Sequence, residues 1–400
     1  MSEGRSARKV LLCLHHRLER DLGAPAVTLE LGEALERAGC EVAFYSFDDA
    51  FRGGDGGGVA RQLRFPWHVA AHLARRAQAY DVVDASTGDA WVWASLGRPR
   101  GSGTALVTRS HGLEHIAVEQ TRRLAERGGP SLSWKYPLYH GGLRLWEVRR
   151  SLRLSDRCVL LNGPDRDYVR DRLGVPGHRL AVIPNGIAET FHETPAPSPV
   201  EGPVRLAFVG GWSIRKGKET LVTAVAELER QGLDFSLTLL GTGVPEPGVL
   251  GELPGELRSR ISVVPAFANE RLPELLVGHE LLLFPSLSEG SSGALLEAMA
   301  CGLAPVATAV GAAEEILDDS SGVLVPPGDA DAIAAAAGRL CRDRDALFEM
   351  RRQAQQTARR FRWEAVAMRT IELYDSAIDS RAVAGRQGGR QSLRGYGQRS

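Results

Sequence analysis

This 400-residue sequence has no charge excess of either sign and no long apolar run. Its 49 basic residues balance its 49 acidic residues, so no overall field would draw the chain to nucleic acid, and we expect no specific nucleic-acid partner. No stretch approaches the roughly 20 consecutive apolar residues that cross a bilayer. We therefore expect a protein that is soluble or peripheral to a membrane.

Cysteine is scarce and scattered. The five cysteines are odd in number and have no zinc-type Cys/His spacing; they are Cys13, Cys40, Cys158, Cys301 and Cys341. Most lie inside apolar stretches, which is typical of reduced core thiols in a cytoplasmic protein. We expect no metal site. The cytoplasmic location would extend, at most, to the inner face of the membrane.

A dinucleotide-binding fingerprint is also missing. The first predicted strand, residues 9–14, is followed by a turn that carries Gly23 but no GxGxxG motif. Because those glycines let the backbone approach a pyrophosphate, their absence argues against a dinucleotide cofactor in the first half of the chain.

The sequence does contain a regular alternation of apolar strands and helical segments, which indicates parallel sheets in about two domains. The predicted strands are residues 9–14, 41–46, 82–85, 104–108, 157–161 and 180–183, then 204–209, 235–240, 261–264, 281–284 and 304–308. We expect a first domain of residues 1–190, a Pro- and Glu-rich linker of 191–203, a second domain of 204–362, a last helix of 363–380 and a disordered basic tail of 381–400.

The second half is organised around residues 284–306, FPSLSEGSSGALLEAMACGLAPV. A buried strand leads into a Ser/Gly loop and then into a short helix over residues 293–301. The free N–H groups at the start of that helix, together with its dipole, favour an anion such as phosphate. Glu289 lies in the loop just before them. Glu297 lies in the helix, which is otherwise apolar on every side, so we expect its carboxylate to have a polar partner.

A second segment of this half also suits a phosphate. The predicted strand 204–209 ends in Gly210 and Gly211, which let the backbone approach a ligand, and Arg215 and Lys216 place cations beside them. The whole chain has only four lysines, and Lys216 is one of them. The alternative is an ordinary basic turn before a helix.

These segments resemble the signature of the retaining glycosyltransferases of family 4, in which two glutamates separated by seven residues frame a loop and a helix. The PNG turn at residues 184–186 and the order of parts over 204–345 are similar too. The chain departs from the family at Ala188, where an aspartate is usual, and at Gly211, where a basic residue is usual. The resemblance implies the GT-B fold, with two Rossmann-like domains facing each other across a cleft and a last helix that crosses back to the first.

The resemblance also implies roles for individual residues. Glu289 would contact the donor sugar at the reacting face, Glu297 the ribose hydroxyls, and His111, in TRSHGLEH after a predicted strand, the sugar or acceptor. Lys216 and Arg215 would hold the leaving diphosphate. The backbone groups assigned to donor binding are those of Gly210, Gly211, Gly290, Ser291, Ser292, Gly293 and Ala294. Because these donors would stabilise the leaving group, we expect no cofactor and no metal requirement.

The predicted function is therefore transfer of a glycosyl group from a nucleotide-sugar to a glycan, lipid-linked or small-molecule acceptor, with retention. Two alternatives use the same scaffold: a nucleotide-sugar epimerase or phosphorylase, and a non-catalytic nucleotide-sugar-binding protein. His111 has an equally good interpretation as a structural hydrogen bonder.

Residues 122–153 mix tryptophan and tyrosine with many arginines, a pattern that fits weak peripheral contact with an anionic membrane surface. We favour an ordinary helix, because Glu147 and the glycines at 141 and 142 interrupt any basic face.

Overall fold

The computed structural model describes residues 7–20, 23–51, 58–98, 103–126, 136 and 138–396. The chain divides into two compact units. Unit 1 holds the described residues up to Ala125, those between 130 and Pro184, and the segment from Trp363 onward. Unit 2 holds chiefly Asn185–Arg362. Each unit is built on one parallel six-stranded sheet.

Unit 1 has the strand order β2-β1-β3-β4-β5-β6, so the order reverses between β1 and β3. Its strands are β1 Lys9–Cys13, β2 Glu41–Tyr45, β3 Val82–Ser86, β4 Ala105–Arg109, β5 Arg157–Leu160 and β6 Leu180–Val182. Its helices before unit 2 are α1 Gly23–Arg37, α2 Phe47–Ala50, α3 Val59–Arg76, α4 Glu114–Glu126, α5 Arg144–Leu154 and α6 Gly163–Asp171, with π-helical turns at Trp93–Gly97 and Tyr139–Leu143. Strands β3 and β4 are buried throughout, as expected for strands covered by helices on both faces.

Unit 2 has the strand order β12-β11-β10-β7-β8-β9, which reverses between β7 and β10. Its strands are β7 Val204–Val209, β8 Phe235–Leu240, β9 Ile261–Val264, β10 Leu281–Phe284, β11 Ala304–Thr308 and β12 Val323–Val325. Its helices are α7 Glu189–His192, α8 Lys218–Arg230, α9 Glu246–Gly251, α10 Leu272–Leu276, α11 Gly293–Ala300, α12 Ala313–Ile316, α13 Ala330–Arg342 and α14 Arg344–Ala358. Two buried apolar clusters, one on each face of the sheet, hold these layers together.

The last helix, α15 Trp363–Tyr396, belongs to unit 1, as predicted. Its apolar side shares a buried cluster with β1, α1 and the central strands. Inside that cluster, Tyr374 Oη donates to Asp84 Oδ2 at 2.7 Å, and the Arg109 guanidinium donates to the same oxygen at 2.8 and 3.0 Å. This buried triad ties the helix to the carboxyl ends of β3 and β4.

The helix differs from the sequence prediction at its end. Helical backbone continues to Tyr396, whereas the sequence predicted a helix end at residue 380 and a disordered tail over 381–400. Extending an existing helix avoids the cost of nucleation, even though this stretch contains four glycines, which are poor helix formers. Residues 397–400 lie outside the described part.

All five cysteines are free thiols; Cys13, Cys40 and Cys158 are buried, and Cys301 and Cys341 are partly buried. In the described part of the chain, no helix combines the length and the apolar composition needed to span a bilayer.

Candidate active site

The two segments that the sequence singled out in unit 2 meet where its strand order reverses. Residues 210–217 follow β7, residues 285–292 follow β10, and these strands are neighbours in the sheet. Open α/β sheets bind ligands in the crevice outside the carboxyl ends of the strands at such a reversal. The topology therefore marks this crevice as the ligand site of unit 2.

Lys216 joins the two segments. Its Nζ donates to Glu289 Oε1 at 2.6 Å, and the two side chains are only 15% and 9% exposed. The backbone N–H of Leu287 donates to the carbonyl of Arg215 at 2.8 Å, and Arg215 Nη1 donates to the carbonyl of Ser288 at 3.1 Å. The predicted cations and the predicted catalytic glutamate are thus brought together, with Arg215 acting partly as a brace for the loop.

Gly217 makes this close approach possible. Its φ of +76° is a left-handed conformation, and a Cβ at this position would lie 1.9 Å from the carbonyl oxygen of Pro285. Glycine alone avoids both the strain and the collision. The two earlier glycines are placed differently: a Cβ on Gly210 would touch the Lys216 side chain at 3.3 Å, whereas a Cβ on Gly211 would meet no atom of the described residues within 4 Å. A ligand can therefore reach the backbone at Gly211.

The first residues of α11 carry hydrogen-bond donors that have no acceptor among the described residues. Ser292 has φ +54° and ψ +40° and is the only non-glycine residue with positive φ in the described part of the chain, a conformation that costs about 1–3 kcal/mol. Its buried Oγ has no hydrogen-bond partner among the residues that the structure describes. Among the described residues the N–H groups of Gly293 and Ala294 donate to no other group. Three donors and the helix dipole converge here, which suits an anion.

The loop before α11 is anchored from the other side. The carbonyl of Gly290 accepts from the N–H of Ala312 at 3.2 Å, and Thr308 Oγ1 donates to the carbonyl of Phe284 at 3.2 Å. Ser291, between the glycine and the strained serine, is partly exposed. The backbone that carries the predicted donor-binding residues is therefore held by β11 and the segment after it.

Glu297 lies on the same face of α11 as Gly293 and Ala294, and this face is partly open to solvent. The apolar residues around this helix indicate no obvious solvent face, whereas in the structure the small residues Gly293 and Ala294 leave this face partly exposed. Burial nevertheless raises the pKa of Glu297 from 4.5 to about 7, against the opposing charge of Lys216. No hydrogen bond to this carboxylate is formed within the described residues. The polar partner that its position requires must come from elsewhere.

The crevice of unit 1 also lies at the reversal of its strand order, between β1 and β3. His111, two residues beyond β4, lies near it, and its Nε2 is 3.2 Å from Ser86 Oγ at the end of β3. Burial, reinforced by the Arg109 charge, lowers the pKa of His111 from 6.5 to about 3. This histidine is a neutral hydrogen bonder at physiological pH.

The sequence interpretation missed a polar network beside His111. His15 Nδ1 lies 2.8 Å from Asp89 Oδ1. Arg144 Nη2 lies 3.3 Å from His15 Nε2 and donates to Glu114 Oε1 at 2.9 Å. Thr87 Oγ1 donates to the same Glu114 oxygen at 2.7 Å. Except for Arg144, these residues lie within five residues of the ends of β1, β3 and β4, so the strand-end rule that predicted His111 would have predicted them too.

The histidine of this network is neutral. Its Nε2 faces the Arg144 guanidinium, which can only donate hydrogen bonds. Burial and the Arg144 charge lower the pKa of His15 to about 3, while burial raises the pKa of Asp89 well above its usual range. Gly88 allows the guanidinium to lie this close, because a Cβ there would be 2.2 Å from Arg144 Nη1.

Two Rossmann-like units, each with a polar crevice where its strand order reverses, define the GT-B class of fold. Two sequence families match the chain in succession: "Glycosyltransferase Family 4" over residues 23–191 and "Glycosyl transferases group 1" over residues 203–343. Together they span most of the sequence. The chain belongs to the family 4 glycosyltransferases, as its two-glutamate signature predicted.

Sequence similarity to an individual glycosyltransferase supports this assignment. The chain is 31% identical over 258 residues to the MMP alpha-(1->4)-mannosyltransferase of Mycolicibacterium hassiacum, an alignment that covers 61% of this chain and 60% of that protein. It spans about half the length of the curated relatives it matches.

Solved structures show the same fold. Sucrose-phosphate synthase from Thermosynechococcus elongatus superposes with a TM-score of 0.74 at 21% identity, over 93% of this chain and all of that chain. Anabaena HepE in complex with UDP-glucose gives a TM-score of 0.66 at 19% identity, over 92% of this chain and 99% of that chain.

Proposed function

We propose that this protein transfers a glycosyl group from a nucleotide-sugar held by unit 2 to an acceptor held by unit 1, with retention of anomeric configuration and without a metal requirement. The observation that carries the proposal is the 2.6 Å contact between Lys216 and Glu289, formed beside unfilled N–H groups at the topological reversal of unit 2. HepE, a protein of the same fold, was crystallised in complex with UDP-glucose.

The diphosphate of the donor would lie between Gly211 and the start of α11. There it would accept hydrogen bonds from the N–H groups of Gly293 and Ala294 and from the Ser292 hydroxyl. Lysine carries three N–H donors, and Lys216 uses one on Glu289, so the others can reach phosphate oxygens. Charge grows on the diphosphate as the glycosidic bond breaks, and donors fixed in advance stabilise it; losing one such donor commonly costs about 100-fold to 1,000-fold in rate.

The two glutamates would bind different parts of the donor beyond its diphosphate. Glu289, held by Lys216, would accept hydrogen bonds from donor-sugar hydroxyls next to the reacting carbon. Glu297 would accept hydrogen bonds from the ribose hydroxyls, which would give its carboxylate the partner that it lacks. Retention is proposed on the strength of the family pattern.

The acceptor would bind at the strand ends of unit 1. The neutral His111 and His15 and the carboxyl groups of Asp89 and Glu114 offer both donors and acceptors, as polyhydroxylated compounds require. A glycan, a lipid-linked sugar or a small polyol all present such hydroxyls.

The first test is a donor screen with UDP-, GDP- and ADP-sugars, read as thermal stabilisation and as nucleotide release with and without acceptor mixtures. We expect one nucleotide class to raise the melting temperature in proportion to occupancy. The Glu289→Ala variant should bind that nucleotide but release none of it from the sugar. EDTA should leave the rate unchanged.

The screen also separates the alternatives. Isomerisation of the donor would indicate an epimerase, and consumption of free phosphate with no acceptor would indicate a phosphorylase. Either result would exclude glycosyl transfer as the reaction. Binding without turnover would indicate a non-catalytic protein. Stabilisation by none of these compounds would overturn the donor site itself.

A further inference from the structure

Unit 1 carries an exposed aromatic and apolar surface that the transfer reaction does not use. Trp67 on α3 and Trp146 on α5 are 55% and 48% exposed. Trp91 lies between them. Its ring centroid is 6.3 Å from that of Trp67 and 4.9 Å from that of Trp146. Three of the seven tryptophans of the chain thus form one contiguous cluster at the surface. Leu96 and Leu143, also largely exposed, lie on neighbouring elements.

Arginines continue this surface along α5. Leu143, Trp146, Arg150 and Arg153 follow one another at helical spacings of three and four residues and are exposed, with Arg149 beside them. Within the described part of the chain no carboxylate lies in ion-pair range of these three guanidinium groups; Arg150 Nε donates only to Ser95 Oγ, at 3.2 Å. Elsewhere on unit 1, exposed arginines such as Arg170 are paired with aspartates.

The features that argued against a basic face in the sequence do not interrupt it. The Glu147 side chain is only 3% exposed and points to the buried Arg144, 3.9 Å from Nη1. Burial raises its pKa to about 7. Gly141 and Gly142 lie in the π-helical turn that runs directly into α5. The exposed side of this segment therefore presents only aromatic, aliphatic and cationic groups.

We infer that this surface, defined by Trp67, Trp91, Trp146, Leu143, Leu96, Arg149, Arg150 and Arg153, binds the headgroup region of an anionic lipid bilayer. Tryptophan favours the membrane interface because its ring is amphipathic. Arginines without acidic partners are attracted to anionic lipid, and each contributes about a factor of five to binding. The inference does not depend on the proposed transfer reaction, since no residue of either crevice takes part.

The test is flotation of the full-length protein with phosphatidylcholine vesicles, with and without phosphatidylglycerol. We expect binding only to the anionic vesicles, a blue shift of tryptophan emission on binding, and release at high salt because the charge contacts are screened. Arg149→Gln combined with Arg153→Gln should weaken binding roughly 25-fold, and Trp67→Ser combined with Trp146→Ser should remove most of the emission shift.

Two matched controls keep the test specific. Arg166→Gln with Arg170→Gln removes two arginines of unit 1 that are paired with aspartates, and Val277→Ser removes an exposed apolar side chain of unit 2; both should bind like the wild type. Circular dichroism and donor-induced thermal shift establish that each variant is folded. No flotation, equal binding to neutral vesicles, or equal loss in the controls would overturn the inference, as would burial of Trp146 in a concentration-dependent dimer without lipid.

Discussion

Substituting Glu297 by glutamine should stabilise unit 2 above neutral pH, although it removes a proposed ligand-binding group. Burial raises the pKa of this carboxyl from 4.5 to about 7 in the folded protein. The folded state therefore binds the proton more tightly than the unfolded state, and stability falls as the pH rises from about 4.5 through 7. Glutamine has the same shape, is never charged, and avoids this loss.

The size of the effect follows from the two pKa values. One pKa unit corresponds to about 1.4 kcal/mol, so the ionised carboxylate destabilises the folded state by about 3 kcal/mol at pH 8. At pH 5 most of the folded molecules carry the proton, and the penalty shrinks to about 1 kcal/mol. The advantage of the glutamine variant should therefore grow by about 2 kcal/mol between these two pH values.

Native-state hydrogen exchange of peptides from β10 and α11 measures this quantity in unit 2 alone. Comparing variant and wild type at each pH cancels the pH dependence of intrinsic exchange. Glu246→Gln is the matched control, since that glutamate is exposed on α9 of the same unit; its effect should be small at every pH. A Glu297→Gln advantage that does not change with pH, or a variant less stable than the wild type at pH 8, would show that burial does not raise the pKa of Glu297.

Three further outcomes can be checked with single substitutions or spectra. Gly217→Ala should destabilise unit 2 by about 2 kcal/mol or more, since its Cβ would collide with Pro285; Gly211→Ala should unfold like the wild type and weaken donor binding instead, which urea melts and nucleotide titrations distinguish. The NMR signals of His111, whose pKa is about 3, should not shift between about pH 5 and 8, and a midpoint near 6.5 would contradict its burial. Tyr374→Phe should cost about 1–3 kcal/mol of unit 1 stability in urea melts by leaving a buried Asp84 oxygen with one donor fewer, and an unchanged melt would contradict that role.

The sheets were the most predictable part of the fold. Strands β7 to β11 have the bounds that the sequence predicts, because each is a short apolar run closed by glycine, proline or a polar residue. Helix α3 was not predicted. Its buried side chains Phe65, Val69 and Leu73 do repeat every four residues, but Pro66 falls inside the pattern, and proline in a helix interior normally ends the helix.

The residues of the candidate site also differ in how far the sequence predicts them. Residues close in sequence to a strand end, such as Lys216, Glu289 and His111, could be predicted from the strand, the turn after it and the family signature. Arg144 could not, because it reaches the network from α5, 35 residues beyond the end of β4, and only the tertiary structure places it there. The inward orientation of Glu147 and the open face around Glu297 likewise depend on how their helices pack.

Lys216 is proposed to bind the donor, and Lys218, two residues away, provides a matched control. Lys218 Nζ is bound to Glu252 at 2.6 Å, as Lys216 Nζ is bound to Glu289 at the same distance, but Glu252 directly follows α9 and is not in the loop before α11. The decisive measurement is the rate of nucleotide release from the preferred donor by Lys216→Ala and Lys218→Ala. We expect the rate of Lys216→Ala to fall by about 100-fold or more and that of Lys218→Ala to stay near the wild-type rate. Equal rates in the two variants would show that Lys216 has no special part in donor binding.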